Sequence, residues 1–162
     1  MAITWEEYFM SVAVLSSRRS KDPRTKSGAC IVNADKVIVG TGYNGAPRGW
    51  NDAVFPWGAS EKGAGHKAID KDVLNQKYPY VIHAELNAIL NAHSRDLRGC
   101  TIYATLFPCN ECTKAIAQSG IKRIIYLSDQ YADIDTTKAA KRICDALGIR
   151  YEKFKGEVHV RD

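Results

Sequence analysis

No stretch of this 162-residue chain stays apolar for the roughly 18 residues of a membrane helix, so a helical membrane span is not expected. The opening Met1-Ala2-Ile3-Thr4-Trp5-Glu6-Glu7 lacks the basic and then apolar regions of a secretory signal, and a cytoplasmic location is expected. Cysteine is sparse and odd in number, five residues at 30, 100, 109, 112 and 144. That count does not make a disulfide framework and suits a reducing compartment. Internal repeats, low-complexity tracts and linkers are also missing, which leaves one domain over 1–162. The three tryptophans stand at 5, 50 and 57 and do not interleave with the lysines. The aromatic and basic track of a single-strand binder is therefore lacking, and no stable nucleic-acid partner is expected.

What is present is ordinary in bulk: 45% hydrophobic and 25% charged residues, enough for a core. The net charge of +5 suits anionic partners without saying whether the anion is a polymer or a nucleotide. Arg18-Arg19-Ser20-Lys21 with Arg24 and Lys26 comes nearest to a basic run, and reads either as a solvated loop or as an anion patch.

Thr4-Trp5-Glu6-Glu7 has the capping-box pattern, so a helix is expected from there to about Ser17. Gly28–Val32 and Lys36–Gly40 read as strands joined by a turn at Asn33-Ala34-Asp35. Residues 44–79 hold five of the twelve glycines and three of the five prolines, too long a stretch for a passive connector. Within it Ile69, Val73, Leu74 and Tyr78 suggest one short amphipathic helix. Helices are then expected at His83–His93, with Leu86, Ile89 and Leu90 on one face, at Cys109–Ser119 and at Thr136–Leu147. Strands are expected at Thr101–Thr105, Arg123–Leu127 and Arg150–Phe154. This alternation predicts an α/β sandwich around one mixed sheet.

Two short segments carry chemistry: His83-Ala84-Glu85 and Pro108-Cys109-Asn110-Glu111-Cys112. His83, Cys109 and Cys112 offer one imidazole and two thiolates, a donor set that suits Zn2+ and leaves one tetrahedral position without a protein ligand. Glu85 is placed to take a proton from water there. Pro108 suits the first turn of a helix, in which Cys109 and Cys112 would share one face, their thiols acidified by the helix terminus. A closed structural site would need a fourth ligand from Cys30, Cys100, Cys144, His66, His93 or His159, none of which repeats the spacing; a second metal site built from some of them stays open.

The chain resembles the cytidine and deoxycytidylate deaminase superfamily and, within it, the deoxycytidylate (dCMP) deaminases. The likeness is carried by Lys21-Asp22-Pro23 with Gly28–Val32, by Gly42-Tyr43-Asn44-Gly45 with Pro47, by His83–Ala88, and by Leu106–Cys112. It continues through Ser119–Lys122 and Ser128-Asp129. The resemblance implies a three-layer α/β/α fold, Zn2+ on His83, Cys109 and Cys112, and Glu85 as proton shuttle in converting dCMP to dUMP, a supply for dTMP synthesis. It also implies a homohexamer activated by dCTP and inhibited by dTTP, with Gly42, Tyr43 and Gly45 at the effector site. Asn44 matches a sugar-holding asparagine, although Asn-Gly is also a common turn pair. The Ala84 backbone is expected at the pyrimidine edge. Lys26, Ser27 or Arg24 would meet the phosphate, against the plainer reading of an exposed basic loop. Between Trp57 and Gln76 the chain departs from the family pattern, being richer in glycine and lysine. The competing readings are a deaminase of dCTP, cytidine or polynucleotide cytosine, a transfer-RNA adenosine deaminase, and a zinc-stabilised binding module. Gly42-Tyr43-Asn44-Gly45 speaks against the adenosine deaminase, and Glu85 against the binding module.

Overall fold

The computed structural model describes residues 1–58 and 72–162. Five strands form one mixed sheet in the order β2-β1-β3-β4-β5, namely β1 Gly28–Val32, β2 Ile38–Tyr43, β3 Thr101–Leu106, β4 Arg123–Ser128 and β5 Arg150–Lys153. β1 runs antiparallel to both β2 and β3, while β3, β4 and β5 are parallel. Parallel neighbours need crossovers. The helices α3 (Asn110–Ser119) and α4 (Asp135–Leu147) supply them.

Alternation along the strands sorts two cores. Ala29, Ile31, Ile102 and Ile124 face α2 (Ala84–Asn91), α3 and α4. Cys30, Val32, Tyr103 and Ile125 face the opposite way, onto Phe9, Met10 and Ala13 of α1 (Trp5–Ser17). Three layers result, as predicted. The α1 start is the expected capping box: the Glu7 N–H donates to Thr4 Oγ1 at 3.1 Å and the Thr4 N–H to Glu7 Oε1 at 3.2 Å. The C-terminal segment returns beneath α1, where the Glu157 N–H donates to Glu7 Oε2 and the His159 N–H to Ser11 Oγ. Among the described residues, no helix is long and apolar enough to cross a membrane.

Several boundaries move for local reasons. β2 begins at Ile38, not Lys36, because Asn33 Oδ1 accepts from both the Asp35 and Val37 N–H groups and Lys36 takes a φ of 62°. β2 then continues to Tyr43, so the first half of the Gly-Tyr-Asn-Gly segment is strand. The expected helix around Val73 and Leu74 is a single 3-10 turn, Val73–Asn75, with its Ile69 end lying outside the described residues. Leu90 is exposed and Leu86 half-buried, Ile89 packs on the core from the side, and the residues α2 buries fully are Ala84, Glu85 and Ala88. The cause is close approach. A Cβ on Gly42 would stand 2.4 Å from the Ala84 carbonyl oxygen, so only a small-residue helix face fits over β2.

Candidate metal and active site

α2 and α3 start side by side. His83 is the N-cap of α2 and Cys109 the N-cap of α3, both in extended backbone, so each helix begins one residue after its first metal-competent side chain. Pro108 consequently precedes the cap and is not within the first turn. Cys109 needs the extended conformation because its sulfur accepts the Cys112 N–H at 3.5 Å, a bond a first-turn residue cannot form.

His83 Nδ1 lies 3.4 Å from Cys109 Sγ and 3.5 Å from Cys112 Sγ. Zinc–sulfur and zinc–nitrogen bonds of ordinary length at a tetrahedral angle separate such donors by roughly 3.6 Å. The donor set therefore fits one small tetrahedral cation. Electrostatics agree. The hydrogen bond with Cys109, together with burial, holds the Cys112 thiol well above its ordinary value, the reverse of the acidification expected from the helix terminus alone. Two sulfurs this close, one of them buried, ionise together only beside a cation. Burial pulls the His83 imidazole down, but the hydrogen bond and charge of Cys109 and the charge of Glu85 outweigh it, and the net direction is up.

Glu85, in the first turn of α2, is buried, and burial first, then the charge of Cys109, raises its carboxyl above the ordinary range. It opens on a cavity of about 140 Å³ that His83, Ala84 and Cys109 also line. Ser27 and Asn44 stand on the same wall. Lys26 is exposed and is not part of that lining, whereas Arg24 and Thr25 are.

Asn44 is neither a plain turn residue nor an idle one. Its amide oxygen accepts the Ser27 N–H at 2.8 Å, and its Nδ2 donates to the Thr25 carbonyl at 2.9 Å and to Asp22 Oδ2 at 3.3 Å. Gly42 packs against α2, while Tyr43 and Gly45 line a second cavity of about 670 Å³ with Arg19, Lys21, Arg48 and Trp50. Cys30, Cys100 and Cys144 are buried apart from the metal-competent cluster, and His66 lies outside the described residues. His159 joins a separate exposed group with Glu7 and Glu157.

The sequence reading missed Lys77, whose ammonium reaches Asp22 across the cavity wall. Fifty-five positions separate the two, and nothing local marks Lys77 as buried.

Residues 3–128 match the family model described as the cytidine and deoxycytidylate deaminase zinc-binding region. The chain is 51% identical over 152 residues to a deoxycytidylate deaminase of Pongo abelii, covering 94% of this chain and 80% of that one. It is 51% identical over 149 residues to a probable deoxycytidylate deaminase of Drosophila melanogaster, covering 92% and 71% respectively. Among solved structures it resembles the dCMP deaminase of cyanophage S-TIM5 in complex with dCMP and dUMP, with a TM-score of 0.71, 28% identity, and 95% and 99% of the two chains covered.

Proposed function

We propose, because the chain belongs to the cytidine and deoxycytidylate deaminase family, that it is a zinc enzyme hydrolysing dCMP to dUMP and ammonia. The observation that carries this reading is the buried Glu85 carboxyl opening on the same cavity as His83 and Cys109, with Cys112 completing their metal-competent cluster.

A zinc ion on those three ligands, when bound, supplies the Lewis acidity that makes water a nucleophile near neutral pH. Glu85 takes the proton of the attacking water and passes it to N3 of the cytosine ring, which leaves C4 open to attack. It then takes the remaining proton from the hydroxyl now on C4 and gives it to the amine, so that the C4–N bond breaks, ammonia departs and the C4 carbonyl of dUMP forms. Burial raises the Glu85 carboxyl above its ordinary range, which makes it a better proton acceptor than an exposed carboxylate and suits this two-way traffic. The Ala84 backbone faces the pyrimidine edge. Ser27 and Asn44 form the sugar side, and the phosphate would be met by Arg24, which lines the cavity, or by the exposed Lys26 beside it.

The finer reading is one deaminase domain over 1–162, a cytoplasmic homohexamer activated by dCTP and inhibited by dTTP. The second cavity supports the regulatory part, because Tyr43 offers a stacking face and Arg19, Lys21 and Arg48 offer cations to phosphates. Gly45 and Tyr43 line it, whereas Gly42 serves helix packing.

Incubation of the purified protein with dCMP, dCTP, deoxycytidine and single-stranded DNA, followed by loss of cytosine absorbance, tests the substrate. dCMP is expected to have the highest specificity constant. Equal constants for dCMP and deoxycytidine would remove phosphate recognition, and a preference for dCTP or DNA would replace the reading.

A further inference from the structure

Among the described residues, one ion pair has both side chains less than a tenth exposed: Lys77 at 9% with Asp22 at 0%. Both residues line the cavity that holds Glu85, and neither belongs to the metal cluster. Asp22 organises the facing loop with its whole carboxylate. Its Oδ1 accepts the Arg24 N–H at 2.8 Å and the Thr25 N–H at 3.1 Å, while Oδ2 meets Lys77 and the Asn44 amide. Lys77 organises the opposite wall. Its N–H donates to the Gly58 carbonyl, and its own carbonyl accepts from Tyr80 at 2.9 Å and Val81 at 2.8 Å, closing the turn that leads into Ile82 and the ligand His83. The pair thus joins two chain segments that meet at the cavity and are otherwise far apart in sequence.

We propose that Asp22 and Lys77 are positioning residues for nucleotide binding: their buried pair latches loop 22–27 against the segment entering His83 and thereby sets substrate affinity. The proposal rests on the deaminase reading above and adds to it a role assigned to neither residue so far. The Lys77 charge is balanced by Asp22, so in this reading it serves as a strut and not as the cation that reads the phosphate. Without the latch, the loop samples states in which Thr25 and Ser27 no longer shape the wall, and apparent affinity falls by the fraction of competent loop. Substitution of the Lys77 side chain keeps the backbone turn before His83, and Glu85, Cys109 and Cys112 are carried by the starts of α2 and α3, so the metal-competent cluster and Glu85 stay in place. KM should therefore move while kcat does not.

Both lone neutralisations, Asp22→Asn and Lys77→Met, leave a buried charge without its partner and so also lower stability. The decisive set is therefore Lys77→Met, the double variant Asp22→Asn/Lys77→Met, and Lys77→Arg, which keeps the charge. For each, zinc content, thermal midpoint, kcat and KM for dCMP are measured, with amide hydrogen exchange at Arg24, Thr25 and Ser27. We expect KM to rise about tenfold in Lys77→Met and to stay raised in the double variant even as its thermal midpoint recovers. Zinc content and kcat should hold within about threefold, and Lys77→Arg should restore KM. Exchange at the three amides should quicken in Lys77→Met and in the double variant. A KM that recovers together with the thermal midpoint would reduce the pair to a stability element and overturn the proposal. So would unchanged KM, a kcat loss without KM change, or unchanged exchange at the three amides. If the wild type itself fails to turn over dCMP, the deaminase reading falls, and the exchange measurement still decides whether the latch exists.

Discussion

Glu85 follows His83 by two positions, yet both side chains serve one cavity because His83 precedes the helix and Glu85 lies in its first turn. In mid-helix the same spacing would send them to different faces. Replacing Glu85 by Gln keeps the shape and removes the carboxyl proposed as the proton carrier. Metal content should be unchanged while turnover drops by roughly 10²–10⁴-fold, the scale of a positioned acid/base group. Metal analysis beside a dCMP assay checks this, and near wild-type turnover would remove the shuttle role. Cys109→Ala and Cys112→Ala should instead lose metal and activity together, since three ligands leave no redundancy. This metal-competent cluster was legible in the sequence because its residues come in two tight local motifs whose chemistry is set by residue type. Asp22 and Lys77 were not: a buried lysine resembles a solvated one until the residues it meets are known.

At the level of elements, hydrophobic periodicity placed the strands and helices, but on α2 it named the flank of the buried face, with Ile89 packing on the core and Leu90 exposed. Leucines and isoleucine marked the apolar side, whereas the helix meets β2 through Ala84 and Ala88 over Gly40 and Gly42. Close backbone approach favours the smallest residues, a signal that hydropathy does not register. Gly42→Ala should therefore cost about 1–3 kcal/mol through overpacking, even with no nucleotide present. Denaturant unfolding of the nucleotide-free protein checks it. Unchanged stability would return Gly42 to the effector role that the resemblance implies.

α1 makes a different prediction, in pH. Hydrogen bonds from the Glu157 N–H, and then the Thr4 N–H, hold the Glu7 carboxyl down to about 2. A depressed carboxyl contributes fully above its ordinary value of 4.5, and that contribution fades as pH falls from there through about 2. Acidification across that window should release the C-terminal segment from α1, read as faster amide exchange at Glu157 and His159. Thr4→Ala keeps the backbone N–H that bonds the carboxylate and removes only the lesser side-chain contribution, so it should move the onset of release to higher pH only slightly.

Across the whole molecule, the two cavities are walled by the same elements, which would give the proposed effector control a mechanical route. Tyr43 and Gly45 face the second cavity while Asn44 between them faces the first. α2 is shared as well: Asn87 lines the second cavity and donates to the Tyr43 carbonyl at 2.7 Å, while Ala84 and Glu85 of the same helix line the first. A nucleotide on Tyr43 therefore bears on the strand end and the helix that shape the active cavity. It can shift the balance only by its differential affinity for the competent and incompetent arrangements, typically about 1–3 kcal/mol of coupling, or 5–150-fold in apparent affinity. In the proposed hexamer that coupling acts across subunits, so the dCMP saturation curve without effector should be sigmoidal. dCTP should move it left and make it hyperbolic, and dTTP should move it right. Tyr43→Ala and Arg48→Ala, which touch only the second cavity, should abolish both shifts while leaving maximal turnover within about threefold. Light scattering under the same conditions reports the assembly. A hyperbolic curve unmoved by either nucleotide would exclude regulation, and a monomer in scattering would exclude the cooperative route to it.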